Sequence, residues 1–121
     1  MILTDLTIAD ARTLLTAGDI SSVELTEAHI RAMEQTSNLN MFITETCEQA
    51  LSAANKLDNK RSLDERRKLE GIPLGIKDLF CTDGIMASAG SKILQGFVPP
   101  YESTVTKNLW DAGAVMLGKT N

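Results

Sequence analysis

Lys77 closes the apolar, glycine-containing stretch of GIPLGIKDLF, residues 71–80, and is the first charged side chain in it. A free lysine titrates at about 10.4, so it serves as a base near neutral pH only if its surroundings lower that value by several units. A buried strand that delivers the amine into a loop could supply such apolar walls. Pairing with the adjacent Asp78, or projection into solvent from a strand end, accounts for the same residue without chemistry. Asp78 reads as a turn or helix-start residue and receives no catalytic place.

The other reactive groups are weaker candidates. Ser91, in AGSK, is the best placed serine, yet a turn-forming hydroxyl explains it equally well. GAVMLGKT, residues 113–120, fits the spacing of a phosphate-cradling loop. Such a loop follows a strand and opens a helix, whereas here a helix is expected before it and AVML reads as a strand, so no nucleotide is assigned to it. His29 is the single histidine; it lies four residues from both Leu25 and Met33, beside an apolar helical stripe, and reads as a packed residue, so no metal site is expected. Cys47 and Cys81 are too few and too far apart for a disulfide framework or zinc knuckle. They are expected to be inert thiols in a reducing cytoplasm.

The elements that must position Lys77 follow from pattern. Thr7 and Gly18 bracket a helix over about 7–17. Ser21 and Glu24 have capping-box spacing and open a second helix, ending near Thr36, with Leu25, Ala28, Ala32 and Met33 on its inner face. MFITET, residues 41–46, reads as a strand, and Ala50, Leu51, Ala54 and Leu57 mark a third helix over roughly 47–60. The charged connector RSLDERRKLE, 61–70, reads as a solvated loop or turn. Beyond it come a strand at 72–76 running into Lys77, a long irregular loop rich in glycine, a helix from Ser103 to about Asp111, and a second buried strand at AVMLG. The fold class is α/β, with a helical segment over 1–70 carrying one short strand and a glycine-rich segment over 71–121.

Composition narrows the function. The 121 residues are 43% hydrophobic with a net charge of −4, which allows one domain with a real core and gives no basic face for gripping nucleic acid directly. The apolar runs fall far short of the roughly 20 residues that span a bilayer. The opening MILTDLTIADARTLL lacks the basic start of a secretory signal.

In GIPLGIKDLF, DGIMASAGSKIL, FVPPYESTV and DAGAVMLGKTN the chain resembles the amidase signature family, whose members hydrolyse carbon–nitrogen amide bonds. Within that family it looks most like the glutaminase subunits of tRNA-dependent amidotransferases. The resemblance implies an α/β/α core around a mixed sheet, incomplete in this chain. It also implies a catalytic triad of a nucleophilic serine, a second serine preceded by a cis peptide, and a lysine that maps to Lys77. The two serines belong to a segment downstream of the GKTN element, so the chain is expected to be a front part, inactive alone. Its implied partners are the amidotransferase's B subunit, which uses ATP to activate Glu-tRNA(Gln), and its stabilising C subunit. The implied substrate is glutamine; tRNA is met only through the complex, and no cofactor or membrane is involved. A different amidase acting on a free amide, and a non-catalytic interaction module, are the rival readings. Strands that lack their neighbours further lead us to expect self-association of the isolated chain.

Overall fold

The computed structural model describes residues 1–60 and 66–121. The first half of the expected charged connector, residues 61–65, lies outside the described residues. After a single helical turn at Leu3–Asp5, helix α1 (Ile8–Ala17) begins at Thr7, whose hydroxyl accepts the Asp10 N–H at 3.1 Å. It ends at Gly18 with φ of 80°, a left-handed cap that glycine adopts without steric cost. Helix α2 (Ser22–Gln35) opens with both halves of the capping box formed between Ser21 and Glu24. Its first free N–H groups, those of Ser22 and Val23, donate to the two carboxylate oxygens of Asp58 at 2.9 and 3.0 Å. Asp58 sits at the far end of helix α3 (Cys47–Asn59), so one side chain both satisfies the helix N-terminus and ties the two helices together.

The inner face of α2 is rotated from the expected one. Leu25, Ile30 and Met33 are buried, whereas Ala28 and Ala32 are only half-buried, because turning the larger Ile30 inward removes more apolar surface from water. Ile30 and Met33 pack with Ala50 and Ala54 of α3 and with Val115 and Leu117. A second cluster joins Ala11, Leu15, Ile20, Leu25 and Ile72. Both clusters draw on residues from each side of position 70.

Three strands form a mixed sheet: β1 (Phe42–Glu45), β2 (Pro73–Lys77) and β3 (Val115–Thr120), in the order β1-β3-β2. β3 lies at the centre, antiparallel to β1 and parallel to β2. It runs two residues past the expected AVMLG, so Gly118, Lys119 and Thr120 are strand and not the bend of a phosphate-binding loop. Gly118 is required by the pairing with β1, since a Cβ there would lie 2.5 Å from the Thr44 carbonyl oxygen. Helix α4 (Thr104–Asp111) is capped by Ser103, which accepts the Thr106 N–H at 3.2 Å, and leads through Gly113 into β3.

The segment between β2 and α4 is irregular, as expected, but closed on itself. Gly84 N–H donates to Pro99 O at 2.9 Å and Ala87 N–H to Phe97 O at 3.0 Å. Its outer side presents Ile93, Phe97, Val98 and Tyr101 to solvent. Among the described residues no helix is long and apolar enough to cross a membrane.

Candidate active site

Strand alternation decides what each residue at the end of β2 can do. Ile76 and Asp78 turn into the protein and Lys77 turns out, so the Lys77 amine is exposed. The expectation that GIPLGI itself walls the lysine is therefore corrected. Gly75 and Lys77 share the open face, and the buried Ile76 belongs to the other one. Around the strand end, Lys77, Asp78, Leu79, Ala89, Thr120 and Asn121 line a hollow of about 90 Å³.

The backbone beneath Lys77 is held firmly. Its carbonyl accepts the Phe80 N–H at 3.1 Å, closing a turn, and the Asp78 N–H donates to Thr120 O at 2.8 Å on the neighbouring strand. The Asp78 carbonyl accepts the Ala89 N–H at 3.2 Å. Lys77 is thus a primary amine displayed from a fixed strand end, an arrangement that can meet a partner group brought to it from outside these residues.

Asp78 does not pair with Lys77. Its side chain is buried, and its Oδ2 accepts both the Ser88 N–H at 3.0 Å and the Ser88 hydroxyl. Its Oδ1 lies 3.5 Å from the ammonium of Lys119, which is fully buried and donates to Phe80 O at 2.7 Å. The buried pairing of Asp78 with Lys119 was not assigned from the sequence, although part of the signal was present. Ile76 and Asp78 alternate with Lys77 at the end of β2, whereas along β3 a register shift between Met116 and Gly118 breaks the alternation, so that Lys119 pairs with Ile76 while Val115 pairs with Pro73 on the opposite face.

The remaining candidates are structural in their contacts. The Ser91 hydroxyl accepts the Ile93 N–H at 3.2 Å, the turn role expected of it. His29 Nδ1 donates to Leu25 O at 3.0 Å within its own helix. Burial, with Glu45 and Glu34 adding to it, pushes the Cys47 thiol above its ordinary range and leaves it a poor nucleophile. Cys81 Sγ sits 3.5 Å from the Tyr101 hydroxyl. Among the described residues no group of three His, Cys, Asp or Glu is gathered to hold a metal ion.

Comparison with known proteins places this geometry. The chain is 60% identical over 119 residues to the A subunit of glutamyl-tRNA(Gln) amidotransferase from Caulobacter sp. (strain K31), an alignment covering 98% of this chain and 24% of that protein. It is 56% identical, with the same coverage, to the corresponding protein of Rhodospirillum rubrum. Among solved structures, the native peptide amidase of Stenotrophomonas maltophilia superposes with a TM-score of 0.88 at 36% identity, over 97% of this chain and 25% of that one. The chain therefore spans about a quarter of the length of the relatives it matches. The Amidase family model matches residues 24–121, a stretch that includes all three strands, the Lys77 turn and the closed loop, and the chain belongs to that family.

Proposed function

We propose that these residues are the front quarter of the glutaminase subunit of a tRNA-dependent amidotransferase, and that Lys77 is its catalytic base. The observation that carries this is the 60% identity to the A subunit of a glutamyl-tRNA(Gln) amidotransferase over nearly the whole chain. The exposed amine on a rigid strand end supports it, because a base must be reachable by the groups it deprotonates. On this reading residues 71–121 open the catalytic core and residues 1–70 precede it.

In the intact enzyme the neutral Lys77 amine takes a proton from the bridging serine, which takes one from the nucleophilic serine. The nucleophile's oxygen bonds to the side-chain amide carbon of glutamine. The carbon–nitrogen bond then breaks, the relayed proton returns to the departing nitrogen, and ammonia leaves. Water cleaves the resulting ester to glutamate and restores the serine. Walls that exclude water from Lys77 come from the remainder of the enzyme, since β2 supplies none on that face. The partner B subunit uses the ammonia while activating Glu-tRNA(Gln) with ATP, and the small C subunit stabilises the assembly. A net charge of −4 suits a protein that meets tRNA through its partners. Both cysteines are free, in keeping with a reducing cytoplasm.

The likeness to a peptide amidase favours a second reading, hydrolysis of a free amide without partners, but at 36% identity it stands well behind the amidotransferase relatives. Replacing Lys77 with Ala in the full-length enzyme is expected to lower glutamine hydrolysis by about a hundredfold or more, read as ammonia release with and without the B and C subunits. Retained turnover would refute the assignment of the base. Turnover of simple amides in preference to glutamine would favour the second reading.

A further inference from the structure

We infer that Asp78, Lys119 and Ser88 form a buried positioning device that holds Lys77 and the Ala89 wall of its hollow in one fixed relation. The inference rests on the reading of Lys77 as the base and concerns residues that do not themselves touch substrate.

The argument starts from where the charges lie. A lysine with no exposed surface in the centre strand of a sheet is an unfavourable placement unless its ammonium is paired and hydrogen-bonded. Lys119 meets both conditions, with Phe80 O at 2.7 Å and the Asp78 carboxylate at 3.5 Å. An apolar side chain at this position would fill the space as well, and buried pairs seldom add stability over such a replacement. What the pair adds is direction. Lys119 reaches from β3 to the carbonyl at the far end of the Lys77 turn, while Asp78, the residue after Lys77, reaches to the opposite loop.

That second reach gives the device its consequence. Asp78 binds Ser88 through both its N–H and its hydroxyl, and the Ser88 oxygen in turn accepts the Gly90 N–H at 3.3 Å. Ala89, between them, sits at φ of 51°, a conformation that an L-residue with a Cβ resists and that its neighbours must impose. Ala89 and Lys77 line the same hollow. Loosening Asp78 therefore frees the strand end and the facing wall together, and small displacements of a base from its reacting partner are costly.

The test uses the full-length enzyme in its complex, with kcat, KM for glutamine and thermal unfolding measured for each variant. Ser88→Ala removes the hydroxyl and leaves the ion pair; kcat is expected to fall about tenfold with KM within about twofold of the parent. Asp78→Asn combined with Lys119→Met removes both charges at once, which is expected to spare the melting temperature while kcat stays depressed by about tenfold or more. A parental kcat for Ser88→Ala would overturn the inference, as would a double variant in which kcat returns together with stability, the pattern of a merely structural pair. Lys77→Ala, run alongside, separates the two readings: if it is inactive while the other variants keep parental kcat, the base stands and the positioning device falls. If Lys77→Ala is itself active, the base assignment is what has failed.

Discussion

Lys77 and Lys119 occupy adjacent parallel strands, with Lys77 opposite Thr120 and Lys119 opposite Ile76, yet one lies open to solvent and the other is sealed in the core. Their chemistry is the same, so a single step of strand register separates them. In parallel pairs, side chains at matched positions share a face; Ile76 and Lys119 point inward, Lys77 and Thr120 outward. A lysine's availability for reaction is thus set by the parity of its position along a strand. The apolar residues that happen to flank it in sequence do not set it.

The contrast can be broken most directly through stability. Lys119→Ala would leave the Asp78 carboxylate buried without its counter-charge and is expected to cost about 3–5 kcal/mol, read from urea or thermal unfolding. Lys77→Ala removes an exposed side chain and is expected to stay within about 0.5 kcal/mol of the parent. Similar losses for the two would show that the burial difference has no energetic weight. Reactivity sharpens the contrast next: a water-soluble acylating reagent should modify the Lys77 amine at least about tenfold faster than that of Lys119, which reacts only when the strand opens. Equal rates by peptide mass mapping would contradict it. The smallest effect is expected from Ala89→Gly, which relieves the left-handed conformation at the cost of extra freedom in the unfolded chain. A net gain of about 0.5–1 kcal/mol follows, and a loss on thermal unfolding would mean that the Ala89 methyl group contributes packing that outweighs the strain.

Most of the architecture was legible because it rests on local rules. Thr7, the Ser21–Glu24 box, Gly18 and Ser103 mark helix ends through hydrogen bonds made within a few residues, and each does so in the structure. The strands were legible from β-branched and apolar runs, up to the point where β3 continues past Gly118 into Lys119 and Thr120, because a lysine fits a buried strand poorly. That shortfall of two residues hid Lys119. The exposed state of Lys77 was legible only as an alternative, since a flanking apolar run does not say which face the lysine takes. Ser88 was beyond reach altogether, because its partner Asp78 lies ten residues away across an irregular loop whose closure no local signal specifies.

The order of strands in space carries a consequence for how the molecule is made. β3 joins β1 to β2 and comes last of the three along the chain. As the polypeptide leaves the ribosome, the helices at the front can dock on one another, while β1 and β2 must wait with open edges for residues 115–120 to emerge. Synthesis at about 5–20 residues per second makes that wait a matter of seconds, and during it the hydrogen-bonding edges of both strands stay unpaired and open to those of another nascent chain.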